Sequence, residues 1–399
     1  IAEILEKIGY RCKMGLDVLD EKTISFETLD ETKRSKEQER AIIQGADPIY
    51  VERTGGFPGV VAELDTGIDG PVTAFRFDID CLPYQEPKRN GFRPFDEGYI
   101  SCNDGNVHAC GHDAHAAIGI GVAEEILKQK DMLKGKVRFL FQPAEERYNG
   151  ALSMVEKGLL DDVDYFIGIH MALTAEGSPL PSNTICCGCK DFLSDDQVDV
   201  TFHGKAAHPC GASQEGKNAL LAACSAVLNL HAIAPHEAGM CRVNVGIMRG
   251  GVVVNTIAPE AFISIEYRGQ TQEVSAYARK RVFEILDGAA KMHGMDYTYV
   301  DFGEIPAAQS DDAMMDIIRR AAAKVSWFEK IYFEGSIGGT DDASVMMNKV
   351  QEHGGIATYL GIGTDTTNTL HHPEFDLDED SIPAAIEMLV HALEEIHSI

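Results

Sequence analysis

The segment H-A-C-G-H-D-A-H (108–115) places a thiol, three imidazoles and a carboxylate within eight residues. These side chains ligate transition metals, and His112 and His115, three apart, share one face of any helix that carries them. Downstream come the paired carboxylates Glu145 and Glu146 in F-Q-P-A-E-E (141–146), His170 in G-I-H (168–170), and His371 in L-H-H-P (370–373). Each has a duller reading taken alone: a buried thiol, a solvated helix start, a polar strand end, an exposed loop imidazole. Their force lies in number. A Cys, a His, a Glu and two more His make five ligands, enough for two metals sharing a bridge and a water. Adjacent side chains diverge, so one of Glu145 and Glu146 can hold a metal while the other faces the water as a base.

The elements needed to position these groups are legible. Val72–Asp80, Val137–Gln142 and Tyr165–His170 are short, nearly continuous apolar runs, with helical stretches at His112–Gln129 and Gly150–Lys157. Strand and helix alternating in this way imply an α/β fold with a mostly parallel sheet covered on both faces. Asp80, Gln142 to Glu146, and His170 then fall at carboxyl ends of strands, where such sheets build their sites. The middle of the chain differs. Gln197–His203 alternates, Asn218–Ile233 reads as a helix, Arg242–Met248 and Ala261–Arg268 flank Gly250-Gly251, and a helix runs from about Gln272 to Met292. The β-α-β-β-α-β order predicts an inserted ferredoxin-like α+β domain over 192–306. The larger, discontinuous domain is 1–191 with 307–399, closing with a helix at 313–325, a loop at 335–342, a strand at 357–361 and a helix at 382–396.

Composition narrows the function classes. A chain of 399 residues favours two domains, and 44% hydrophobic with 25% charged residues is ordinary for a globular protein. A formal net charge of -28 argues against nucleic acid and anionic membrane surfaces. No apolar run approaches the roughly 18 residues of a membrane span. Ile1–Gly9 reads as the tail of an amphipathic helix without a signal-type core, so residues are expected to precede it, and the ten cysteines read as reduced thiols of a cytoplasmic protein.

D-I-D-C-L-P (78–83), H-A-C-G-H-D-A-H (108–115), F-Q-P-A-E-E (141–146), G-A-L-S-M-V-E-K-G (150–158), I-H (169–170) and L-H-H-P-E-F-D (370–376) together resemble the M20 metallopeptidase and amidohydrolase family, in its HACGHD branch. The resemblance spans essentially the whole chain. It implies hydrolysis of N-acyl amino acids, p-aminobenzoyl-glutamate among them, with two divalent ions, Mn²⁺ or Zn²⁺, in each protomer. Cys110, His112, Glu146, His170 and His371 would bind the metals, Cys110 as a bridging thiolate. Glu145 would be the general base, and Asp80 would orient a metal-binding imidazole. His208 would steady the oxyanion from the inserted lid domain, and Asn255 and Arg268 would clasp the substrate carboxylate, a task suited to the planar guanidinium. The resemblance further implies a homodimer, or an A/B heteromer of two related chains, formed through the lid.

Three departures stand out. The family's leading R-R-x-x-H-x-H-x-E helix is absent, its S-E-D reads Gly339-Thr340-Asp341-Asp342, and Cys186, Cys187 and Cys189 belong to no motif and read as apolar thiols on a strand. Two rivals are a thiol hydrolase, with Cys110 as nucleophile and His112 or His115 as base, and a metal-binding protein without turnover.

Overall fold

A computed structural model describes residues 1–24 and 31–397. The chain divides into two compact units, one of residues 1–190 with 309–399 and one of residues 191–308.

The first unit is built on an eight-stranded sheet. At its centre Lys136–Gln142, Val72–Asp78, Tyr165–Met171 and Ile356–Ile362 run parallel in that spatial order. All but the first residue of each is buried, which is why they read as continuous apolar runs rather than alternating ones. The Val72 strand stops at Asp78, two residues earlier than its apolar pattern suggested. Further strands flank this core: antiparallel Val60–Asp65 and Arg11–Met14 on one side, Thr184–Cys186 and Lys330–Tyr332 on the other, and of these the sequence pointed only to the one that carries Cys186. Helices His112–Lys128, Asp312–Ala322 and Ser381–Ile396 pack together, as do Gly150–Glu156 and Ala343–Glu352. Phe75, Phe77, Phe139 and Phe141 stack across neighbouring strands in the fully buried core. Cys186, Cys187 and Cys189 have no exposed surface, and none of the ten cysteines is in a disulfide.

The second unit is a four-stranded antiparallel sheet. In chain order its strands are Asp195–His203, Cys241–Gly250, Glu260–Gly269 and Asp296–Ile305, and their spatial order is second, third, first, fourth. That is the ferredoxin-like arrangement, completed by helices Ala219–Leu230 and Gln272–Met292. Asn218 and Thr271 start the two helices by accepting from the amides of Leu220 and Val274. Among the described residues, no helix is long and apolar enough to cross a membrane.

Candidate metal centre

Each ligand candidate of the first unit is delivered by a distinct local device. Gly111, at φ 81°, turns the chain so that Cys110 precedes and His112 opens the His112–Lys128 helix. A Cβ at Gly111 would lie 3.3 Å from the Met171 side chain, so both conformation and space call for glycine. Glu145 and Glu146 sit in a single 3₁₀ turn beyond the Lys136–Gln142 strand, bracketed by Ala144 at φ 59° and Tyr148 at φ 53°. His371 is left-handed too, at φ 65°, and its amide donates to the Ala109 carbonyl at 2.7 Å. Non-glycine residues at positive φ are costly, and strain of this kind gathers at functional sites.

These devices converge. Ligand atoms of Cys110, His112 and His170 lie within 4.8 Å of one another, as do those of Cys110, Glu146 and His371, and those of His112, Glu145 and Glu146. Cys110 Sγ is 3.5 Å from His170 Nε2, His371 Nε2 is 3.5 Å from Glu146 Oε1, and His112 Nε2 is 3.8 Å from Glu145 Oε2. The imidazoles are oriented from behind. His112 Nδ1 faces the Asp80 carbonyl at 3.0 Å and its carboxylate at 3.3 Å, while Asp80 Oδ2 accepts from the Glu146 amide. His170 Nδ1 donates to the Met171 carbonyl at 2.7 Å. Both rings therefore carry their proton on Nδ1 and leave the Nε2 lone pair facing the cluster, as metal-binding histidines do.

The electrostatics describe a cluster rich in acidic groups that favours positive charge in its midst. Burial, then the Glu146 and Glu145 carboxylates, pushes the Cys110 thiol far above its ordinary range. Burial, then Asp341, Asp342 and Asp78, does the same to Glu145, and burial raises Glu146. Burial opposes charge on His112, but Asp78 and Asp80 outweigh it and lift the ring to about 9. His170 falls to about 3 through burial and its neighbour His115. Among the described residues, His112 Nε2 and Glu146 Oε1 are buried without a hydrogen-bond partner. Orphaned polar atoms amid crowded anionic donors fit divalent cations, and a mixed thiolate, imidazole and carboxylate set suits zinc or manganese.

Beneath the cluster lies a layer of which sequence reasoning saw only parts. Arg76, with no exposed surface, donates from Nε to Gln142 at 2.8 Å, from Nη1 to Asp78 at 2.7 Å and from Nη2 to Asp342 at 3.0 Å, and pairs with Asp341 at 3.1 Å. Asp342 also accepts from the Ala151 amide, and Asp341 from the Tyr359 hydroxyl. The aspartates that stand where the family has S-E-D are thus partners of a buried guanidinium. The available signal was a lone arginine inside the apolar run V-T-A-F-R-F-D.

The thiol-hydrolase rival loses one of its two candidate bases. His115 is fully buried, its Nδ1 donating to Asp78 and its Nε2 accepting from the Met171 amide at 2.9 Å, so neither nitrogen is available to Cys110.

The second unit carries His208, Asn255 and Arg268. His208 is exposed, its Nδ1 accepting from the amides of Cys210 and Gly211. Asn255 is exposed in the loop between Cys241–Gly250 and Glu260–Gly269. Their two loops meet, the Ile257 amide donating to the Ala207 carbonyl, at the sheet end where Glu260 pairs with His203. Arg268 lies eight residues along the strand from Glu260, roughly 26 Å at about 3.3 Å per residue. There its guanidinium meets Asp195 at 2.9 Å and Glu266 at 2.5 Å. Asn255 and Arg268 therefore lie at opposite ends of this sheet, too far apart to reach one carboxylate from a single copy of the unit.

Comparison with known proteins agrees with the motifs. The profile of peptidase family M20/M25/M40 matches residues 74–395. An indole-3-acetyl-aspartic acid hydrolase from Enterobacter agglomerans is 40% identical over 391 residues, 98% of this chain and 88% of its own. The A-type chain of p-aminobenzoyl-glutamate hydrolase from Escherichia coli K12 is 39% identical with the same coverage. A dinuclear metal-binding peptidase of the M20 family from Bacillus subtilis superposes with a TM-score of 0.70 at 25% identity, over 100% of this chain and 99% of that one. By profile, relatives and fold alike, the chain is a hydrolase that belongs to peptidase family M20/M25/M40.

Proposed function

We propose that this hydrolase is a metal-dependent amidohydrolase that cleaves the amide bond of N-acyl amino acids, with aromatic acyl groups joined to glutamate or aspartate as the leading substrates. The observation that carries the reading is the convergence of Cys110, His112, Glu146, His170 and His371, with Glu145 beside them. The two similar hydrolases act, by name, on an indoleacetyl aspartate and a p-aminobenzoyl glutamate. Two divalent ions in this cluster would supply the Lewis acidity that polarises the amide carbonyl and makes water nucleophilic at neutral pH.

The chain's own residues do the rest. Cys110, His112, Glu146, His170 and His371 would hold the two ions between them, and Asp80 keeps His112 aimed. Glu145 takes the proton from the attacking water and delivers it to the leaving amine nitrogen. His208 donates to the developing oxyanion, and Arg268 receives the α-carboxylate through its planar fork. The separation of Asn255 from Arg268 makes two copies necessary if both groups serve one substrate. In support, the edge strand Cys241–Gly250 is antiparallel and open on one side, and Ile247, Met248, Leu221 and Leu228 of this unit are exposed by 41%, 40%, 52% and 74%. Such an edge invites pairing with a second copy or a homologous chain.

The test is hydrolysis of a panel of N-acyl amino acids after metal removal and reconstitution with Zn²⁺ or Mn²⁺. Release of free amino acid by the reconstituted protein and none by the stripped one is expected. Activity that survives stripping would sink the reading and favour the thiol hydrolase.

A further inference from the structure

Three imidazoles crowd the centre, but they are not chemically alike. His112 and His170 each direct an Nε2 lone pair into the cluster. His115 stacks on His112 at 5.4 Å between ring centroids and meets His170 edge-on at 4.8 Å, yet turns both nitrogens elsewhere. Its Nε2 accepts from the Met171 amide, so the proton resides on Nδ1, which donates to Asp78. Asp78 is in turn held by Arg76, and Arg76 by Gln142, Asp341 and Asp342.

The chain of bonds is continuous from the sheet floor to the strand end beside His170. We propose that His115 is a positioning residue, a buried strut between Asp78 and the Met171 amide that sets the aim of His112 and His170 without binding metal itself. The inference rests on the ligand assignment proposed above. Three facts carry it. First, His115 lies one helical turn beyond His112, so fixing it fixes the rotation of the helix start that presents His112. Second, Met171 is bound at both polar ends: its amide by His115, its carbonyl by His170 Nδ1. Third, His115, Asp78 and Arg76 have no exposed surface, and a buried chain with every donor matched is rigid. A ligand would need a free nitrogen, and a mere core residue would not need Asp78, whose buried carboxylate is held by Arg76 and His115.

Two experiments separate the possibilities. In wild-type protein labelled with ¹⁵N-histidine and loaded with ¹¹³Cd²⁺, nitrogen–cadmium coupling is expected at His112, His170 and His371, with His115 uncoupled and protonated at Nδ1. Coupling at His115 would overturn the strut. Absence of coupling at His112 and His170 would overturn the ligand assignment, and the strut with it. The second experiment titrates Co²⁺ into His115→Asn, which can donate to Asp78, and His115→Gln, which can accept from Met171; neither does both. Both should bind Co²⁺ about 10- to 100-fold more weakly in competition with a chelator. The Cys110 thiolate-to-cobalt absorption should weaken or shift as well. Wild-type affinity and absorption in folded variants, even with a lowered melting temperature, would reduce His115 to a packing residue. If neither variant folds, the cadmium experiment on the wild type still overturns the strut should His115 couple to the metal or lack its proton on Nδ1.

Discussion

The two units handle polar side chains in opposite ways. In the first, parallel strands end together, and their loops gather thiol, imidazoles and carboxylates into one cluster, buried except at Glu146 and the exposed His371, whose charges are unbalanced among themselves. In the second, an antiparallel sheet sends alternate strand ends in opposite directions, so His208 and Asn255 sit at one end and Arg268 at the other. Its buried Asp196 accepts from Ser275 through Oδ2, while Oδ1 lies 3.7 Å from Arg279 without a hydrogen-bond partner among the described residues. The lesson concerns self-sufficiency. A parallel sheet can assemble a whole ligand set from one chain, whereas an antiparallel insert of this kind offers its functional groups piecemeal.

The sharpest way to break the comparison is at Glu145. Glu145→Gln keeps the size but cannot take a proton, so turnover should fall about 10²- to 10⁴-fold with metal content unchanged, while Glu146→Gln should lose metal. Metal analysis showing the reverse would exchange the two roles. The next effect is on folding. Arg76→Met leaves Asp78, Asp341 and Asp342 facing one another without their cation, and breaking a buried pair in this way costs about 3–5 kcal/mol. Denaturant unfolding that shows no loss would make the network ornamental. On the other side of the comparison, Arg268→Ala should weaken substrates with a free α-carboxylate far more than their esters, and His208→Ala should lower turnover without loss of metal. Mixed dimers of Glu145→Gln and His208→Ala chains should regain activity if sites are shared between copies; dimers that form and stay inactive would confine each site to one chain.

The smallest effect is a pH dependence in the second unit. Burial, then Glu304, raises Asp196 to about 7, against Arg279, Ser275 and Tyr267, which favour its charged form. A carboxyl whose folded pKa is raised is most favourable when protonated. Stability therefore declines as pH rises from the ordinary aspartate range through about 7. Asp196→Asn should raise the melting temperature more at pH 8 than at pH 5; an equal change at both would show that Asp196 does not titrate there.

Much of this was legible in the residues. Continuous apolar runs located the four central strands, because a strand buried on both faces has no polar alternation to hide it. Alternation and the order of strands and helices located the inserted unit, whose Gln272–Met292 helix matches its sequence pattern at both ends. The flanking strands Arg11–Met14 and Lys330–Tyr332 were missed, since three or four residues carry too short a pattern. The candidate ligands, their order along the chain and the glycine that turns Cys110 into His112 were all set by sequence, since donor chemistry and backbone freedom are local properties. Which nitrogen of each histidine faces the cluster, why Arg76 is buried, and why Asn255 and Arg268 cannot meet in one copy were decided only by tertiary structure. Those depend on which distant residues share a hydrogen bond and on the direction of a strand, and neither is written in any short stretch of chain.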